Sequence, residues 1–264
     1  MPEGHTIRHL ATLHSNAFVG TQIEASSPQG RFAEGAQILN GRAMAETDAH
    51  GKHLFLGFDD VFLHVHLGLY GWFKLRKNKA QIPSDSTRLR IANAEYISDL
   101  VAPTKCEILN KQGVAAIQAR LGPDPLHADA DKEKAWAKIK KSSKPIGALL
   151  MDQSVIAGIG NVYRAEILFL ANVSPFIAGK NLSRERFDYM WEDSVRLLHI
   201  GAQDGRIMTV NEQHMTGEEV KVHGCAQLSY VYKQTSAPCR ICATPVMQQE
   251  MVGRQLYWCP TCQA

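Results

Sequence analysis

Four of the six cysteines in this 264-residue chain form two C-x-x-C pairs, Cys239–Cys242 and Cys259–Cys262, sixteen residues apart. Four thiolates at that spacing fit a tetrahedral zinc held by two knuckles of a β-hairpin. Between the pairs runs VMQQEMVGRQLYW, with Gly253 placed for the hairpin turn and Arg254 displayed beside it. A shell of four thiolates leaves no open position, so the metal is expected to be structural. It would supply folding energy to a module too small to bury much core. Cys106 and Cys225 lack such spacing and read as ordinary buried thiols.

Three other stretches hold residues able to do chemistry. The chain opens MPEGHTIRHL. Pro2 and Glu3 suit the first turn of a helix, where a missing N–H costs nothing and an acid meets the positive end. Proline at position 2 also allows removal of Met1, which would expose a secondary amine able to attack a sugar carbon. Lys52, in GKHLFLGF, stands just before a strand, where lysines usually serve as solvated edge charges. The segment DQSVIAGIGNVYRAEILFL reads as two helices joined by a long turn. Gly158 and Gly160 permit close backbone approach, and Asn161 starts the second helix. There it is either a plain cap or part of a phosphate site.

These residues need elements to hold them. Ile7, Leu10, Ala11 and Leu13 give a first helix. Residues 20–118 then read as strands, with HLFLGF and VFLHVHL as two hairpin arms. In the second arm Val61, Leu63, Val65 and Leu67 alternate with Phe62, His64 and His66. The expected fold is α+β and multidomain. An N-terminal helix and antiparallel β-sandwich fill residues 1–121, and GPDPLHADAD (122–131) forms a linker. A helical domain over 132–233 and a cysteine module over 234–264 follow. KEKAWAKIKKSSK reads equally as a solvated helix face or a phosphate-facing one. A net charge of +3 fits a polyanionic partner only weakly. With no run of about 18 apolar residues and no basic-then-apolar start, a cytoplasmic monomer is expected.

Taken together, the pieces resemble the formamidopyrimidine-DNA glycosylase/endonuclease VIII family of base-excision repair enzymes. PEG at Pro2–Gly4 matches its catalytic start and GKHLFL its lysine motif. GIGNVYRAEIL matches its helix–two-turn–helix and GRQLYWCPTCQ its zinc finger, in the family's order. The resemblance implies a bifunctional DNA glycosylase and abasic-site lyase. Pro2 would be the nucleophile and Glu3 the acid that protonates the sugar ring oxygen. Lys52, Asn161 and Arg254 would bind phosphates around an extruded nucleotide, and Lys52 would also assist proton transfers. Glu166 matches the family and reads as supporting structure. Leu69 and Tyr70, in LGLYG, are either strand-end core residues or a wedge filling the gap left by the flipped base.

One stretch departs from the purine-directed branch, whose arginine- and phenylalanine-bearing loop intrudes on the opposite strand. Here the equivalent reads SDLVAPTKCEIL (98–109), with neither residue. The chain resembles the endonuclease VIII branch instead, especially its actinobacterial members. The implied partner is damaged DNA, double-stranded, with single-stranded or forked forms open, and the implied lesions are oxidised pyrimidines. The alternatives are a purine-lesion glycosylase, a non-catalytic damage binder and a zinc-ribbon interaction protein.

Overall fold

The computed structural model describes residues 2–77, 81–215 and 228–264, so Cys225 lies outside the described residues. The chain divides into two compact units, Met1–Arg120 and Leu121–Ala264.

The first unit opens with helix α1 (Gly4–Phe18), and α2 (Ala33–Leu39) and α3 (Lys111–Gln118) follow later. Its strands are β1 (Glu24–Ser26), β2 (Glu46–His50), β3 (His53–Phe58), β4 (Val61–His66), β5 (Trp72–Lys77), β6 (Thr87–Ala92), β7 (Tyr96–Val101) and β8 (Lys105–Leu109). They form two four-stranded antiparallel sheets, ordered β2-β3-β4-β8 and β1-β6-β7-β5. The expected hairpin is β3–β4, with Asp59 supplying the positive φ of its turn. Period-two alternation sends Leu54, Leu56, Leu63 and Val65 into a core with Ile7, Phe18, Leu89, Ile91 and Leu100. His53, Phe55, His64 and His66 take the other face.

Helix α1 is tied to β2 by polar contacts as well as packing. Arg8 donates to Asp48 Oδ1 at 3.2 Å and to the Ala49 carbonyl at 2.7 Å. Thr47 Oγ1 donates to the Ala11 carbonyl at 2.9 Å. These bonds set the start of α1 against the strand that leads into the Lys52 turn.

His14 sits fully buried in this core. Its Nδ1–H donates to the Leu10 carbonyl at 2.8 Å, so Nε2 accepts from Ser98 Oγ at 2.8 Å. That tautomer has no room for a second proton, and burial pushes its pKa down to about 4. Burial also lowers His5 and His53 to about 3. Each folded value lies below the unfolded one, so the unfolded chain binds protons first as the pH falls. Stability is complete above about pH 6.5 and is lost below it. At pH 5, about 1.5 units lower, His14 alone costs about 2 kcal/mol. The melting temperature should therefore drop by several degrees between pH 7.5 and pH 5. Asp99 and Asp188 are held low chiefly by arginine partners and Asp152 by Ser154, so this window lies above their range, while burial raises Glu166 and its contribution runs the other way. A melting temperature that stays flat from pH 7.5 to pH 5 would contradict the assignment.

The second unit contains α4 (Lys132–Lys140), α5 (Ile146–Leu149), α6 (Asn161–Leu170), α7 (Arg184–Asp204) and the hairpin β9 (Met247–Met251) and β10 (Arg254–Trp258). Its core gathers Ile139, Leu149, Ile159, Tyr163, Ile167, Leu168, Phe187 and Leu198. Residues 122–131 pack against the turn before α6: Gly122 N donates to Gln153 O and Ala157 N to Pro123 O. The cysteine module shares a small core with α6, where Ala165 and Phe169 meet Tyr230, Val246, Tyr257 and Cys259. Three lysines of α4 are engaged within the protein. Lys132 pairs with Asp188, while Lys138 and Lys140 donate to the Ser154 and Lys180 carbonyls. Half of that segment's six lysines thus make bonds within the protein.

Candidate functional site

In the first unit, Pro2 lies ahead of the helix rather than in its first turn. Helix α1 begins at Gly4, and Glu3 is its N-cap in extended conformation. The Glu3 carbonyl accepts from Thr6 N at 3.0 Å, which fixes the backbone, while the Glu3 side chain is 0 % exposed. A wholly buried carboxyl beside the chain's second residue is costly unless it has a task or partners. Lys52 occupies the two-residue turn Gly51–Lys52 between β2 and β3, with Gly51 at positive φ. Its charge helps depress the pKa of His66, after the larger effect of burial and that of His64.

Leu69 and Tyr70 stand on a tight loop between β4 and β5. Gly71 N donates to Leu67 O at 3.0 Å, and Gly68 has φ +67°. A Cβ on Gly68 would collide with the Thr104 side chain, and one on Gly71 with the Leu67 carbonyl. The flanking glycines therefore allow a turn narrow enough to push both side chains outward. Leu69 is 41 % and Tyr70 82 % exposed, so neither is a core residue. An apolar pair held outward on a short turn has the form of a wedge.

In the second unit, the turn before α6 is built on its own side chains. Gln153 Nε2 donates to Ile159 O at 2.9 Å, and Gly158 N donates to Gln153 Oε1 at 3.1 Å. Gly158 has φ +89° and Gly160 is the N-cap. Asn161 is the first helical residue, and its side chain is mostly enclosed. Its Nδ2 donates to the Gln255 carbonyl at 2.9 Å, and its Oδ1 accepts from Arg164 Nη2. Arg164 also donates to the Met251 and Gln255 carbonyls, each at 3.3 Å. Thus α6 grips the β9–β10 hairpin on both sides of its turn. That turn is Val252–Gly253, both at positive φ, as a two-residue hairpin loop needs. Arg254 follows it as the first residue of β10, half-exposed and next to the gripped Gln255. Asn161 is thereby bonded to the residue that follows Arg254.

Arg164 is fully buried and was invisible to sequence reasoning, because its partners on the hairpin lie some ninety residues away. Its only local signal is position i+3 from Asn161, on the same helix face. Glu166, also fully buried, accepts from Thr209 Oγ1 and from the backbone N–H of Tyr230, Val231 and Tyr232 at 2.5–2.9 Å. It anchors the segment that leads into the cysteine module, which is the supporting role read from the sequence.

Cys239, Cys242, Cys259 and Cys262 converge, with all four sulfurs within 4.8 Å of one another. Cys242–Cys259 is 3.4 Å and Cys239–Cys262 is 3.9 Å. A tetrahedron of thiolates at zinc–sulfur distance has edges of about 3.8 Å. The donor set therefore fits a metal ion. Hydrogen bonds from Thr244 hold the Cys242 thiol down to about 6, while burial pushes the thiols of Cys259 and Cys262 up. Cys106, on β8, is pushed up to about 12 by burial and is inert.

Comparison with known proteins agrees with this architecture. Residues 1–99 match the formamidopyrimidine-DNA glycosylase N-terminal domain, and residues 121–212 match the formamidopyrimidine-DNA glycosylase H2TH domain. The chain is 44 % identical to Endonuclease 8 1 of Mycobacterium tuberculosis, over the whole of both proteins. It is 30 % identical to a formamidopyrimidine-DNA glycosylase of Prochlorococcus marinus, covering all of this chain and 99 % of that one. The fold matches that of the Lactococcus lactis Fpg bound to abasic-site DNA, with a TM-score of 0.80, 22 % identity and 99 % of each chain covered. Among the described residues, no helix is long and apolar enough to cross a membrane. The chain belongs to the formamidopyrimidine-DNA glycosylase/endonuclease VIII family of DNA glycosylases with abasic-site lyase activity.

Proposed function

We propose that this protein excises oxidised pyrimidines from DNA through a Schiff base on Pro2 and nicks the strand by β,δ-elimination. The observation that carries the reading is the pairing of Pro2, outside the helix, with the wholly enclosed Glu3 at the N-cap. Helix α1, which begins directly after them, is tied through Arg8 to β2, the strand that ends in the Lys52 turn. Once Met1 is removed, the Pro2 nitrogen is a secondary amine. It must be neutral to attack, and an α-amino group has a pKa near 8, so a cation brought beside it, the part this reading gives Lys52, would favour the reactive form. Glu3 donates a proton to the sugar ring oxygen as the base leaves. The iminium that remains is an electron sink, and both phosphates can then depart without an organic cofactor. Lys52, Asn161 and Arg254 grip the phosphates around the flipped nucleotide, and Leu69 with Tyr70 fills its place in the stack.

The lesion preference rests on residues 98–109. Strands β7 and β8 are joined there by only Ala102–Thr104, with no protruding loop and no arginine or phenylalanine. Without a hydrogen-bonding reader, worth about 1–3 kcal/mol per base, the base opposite the lesion is little interrogated. Poorly stacked oxidised pyrimidines cost least to extrude. The test is excision of 5-hydroxyuracil, thymine glycol and 8-oxoguanine, each opposite all four bases. Pyrimidine lesions should be removed with little dependence on the opposite base, and with activity on single strands. Strong, cytosine-dependent removal of 8-oxoguanine would assign the protein to the purine-directed branch.

The metal is read as one zinc ion bound by Cys239, Cys242, Cys259 and Cys262. Bound there, zinc holds the hairpin's knuckles together and takes no part in the reaction. Chelation should unfold the hairpin, misplace Arg254 and weaken lesion-DNA binding, while the first unit keeps its strand signal. Metal analysis giving no zinc, or unchanged affinity after chelation, would overturn this.

A further inference from the structure

Val252, at the tip of the β9–β10 hairpin, adopts a backbone conformation that costs valine energy. Its φ is +49°, in the left-handed region, where a Cβ crowds the following carbonyl oxygen. A branch on that Cβ makes the crowding worse, and Val252 is the one β-branched residue at positive φ among the described residues. The turn demands the conformation and not the residue. Met251 pairs with Arg254 to close a two-residue loop, and both loop positions must then be left-handed. Gly253 meets that demand freely, and asparagine, aspartate or glycine would meet it at position 252.

The strain is not offset by packing. Val252 is 58 % exposed and belongs to neither hydrophobic core of the second unit. A Cβ built on the adjacent Gly253 would meet no atom within 4 Å, so the tip stands in open space. The hairpin beneath it is nevertheless held firmly. Arg164 bonds to the Met251 carbonyl before the turn, and Asn161 and Arg164 both bond to the Gln255 carbonyl after it. An apolar side chain is thus carried at the end of a braced arm, at a cost to the backbone and with no core to receive it. Strain of this kind gathers where a ligand is met.

The neighbouring residue says which part of the ligand that is. Arg254 Nη1 donates to the Gly253 carbonyl at 3.2 Å, which keeps its guanidinium beside the tip. A valine side chain has no donor or acceptor, so it can take neither a phosphate nor the hydrogen-bonding edge of a base. Beside every phosphate of DNA lies a deoxyribose, whose C–H surface is the apolar part of the backbone. We propose that Val252 packs on a deoxyribose of the strand whose phosphate Arg254 holds, so that the hairpin tip grips DNA by one charge and one apolar contact. This rests on the phosphate-binding role given to Arg254 above. The contact is blind to base sequence and nearly blind to salt, because burying apolar surface releases no counterion.

The experiment measures the affinity of the full metal-loaded chain for a duplex holding an uncleavable abasic-site analogue, over a range of salt concentrations. Val252→Asn puts the favoured Asn-Gly pair in the turn and removes the apolar surface. Two results of opposite sense are expected. Amide exchange across residues 247–258 should slow about fivefold or more, because the strain is relieved. Affinity should nonetheless fall about three- to tenfold, with the slope of log K against log salt unchanged. Val252→Leu, apolar but unbranched at Cβ, should bind within about twofold of wild type. Arg254→Ala is the reference, since losing a phosphate contact should reduce the slope by about one. Wild-type affinity in Val252→Asn overturns the contact. So does a reduced salt slope, which would mean that Val252 acts only through Arg254. If Val252→Asn loosens the hairpin, the leucine variant decides, and a loss as large as that of asparagine overturns the proposal. An Arg254→Ala slope equal to that of wild type removes the phosphate reading itself, and the proposal with it.

Discussion

A chain carrying any residue ahead of Pro2 should nick abasic-site DNA about a thousandfold more slowly than the processed chain. The loss is large because the chemistry depends on one lone pair. With Met1 attached, the Pro2 nitrogen is an amide, its lone pair is delocalised into the carbonyl, and no iminium can form. The residues proposed to grip phosphate and to act as the wedge are unchanged in such a chain, so binding should survive. Because Pro2 precedes the first helical residue, the extra residue need not disturb α1. Mass spectrometry should find active protein beginning at Pro2, and borohydride should link that residue to the sugar. Full-rate cleavage by a chain shown to retain Met1 would remove Pro2 from the mechanism.

What could be read from the sequence was whatever acts locally. The cysteine spacing announced its cluster because two short knuckles meet across one hairpin, and the structure brings all four sulfurs together. The alternation in VFLHVHL assigned faces to its residues correctly, since a strand has period two. It could not say that His64 would meet His53 and Glu107, because that depends on cross-strand register. Arg164 and the hairpin it grips were hidden for the same reason: a helix residue and its carbonyl partners are brought together only by the fold. The first-turn reading of Pro2 was set aside by the helix start at Gly4, one position after Glu3. In the sequence Leu69 and Tyr70 are open between core and wedge, and their exposure removes the core reading.

Glu3→Gln should divide the reaction in two. Base excision should fall by about 10²–10⁴-fold, the range for losing a positioned general acid. Nicking of a preformed abasic site should fall far less. The reason is which step needs the proton. Breaking the glycosidic bond requires the sugar ring to open, and protonating its oxygen makes that possible. A preformed abasic sugar already equilibrates with its open aldehyde, so Pro2 can attack it without help from an acid. Glutamine matches glutamate in shape and leaves no buried charge behind, so the enclosed site at the head of α1 should keep its geometry. The contrast therefore reports chemistry rather than folding. It is measured by comparing thymine glycol excision with abasic-site nicking for the same preparation, with the melting temperature as a control. Equal losses in both reactions would mean that Glu3 acts on the eliminations too, or that it only holds Pro2 in place. Equal retention would remove it from the reaction altogether.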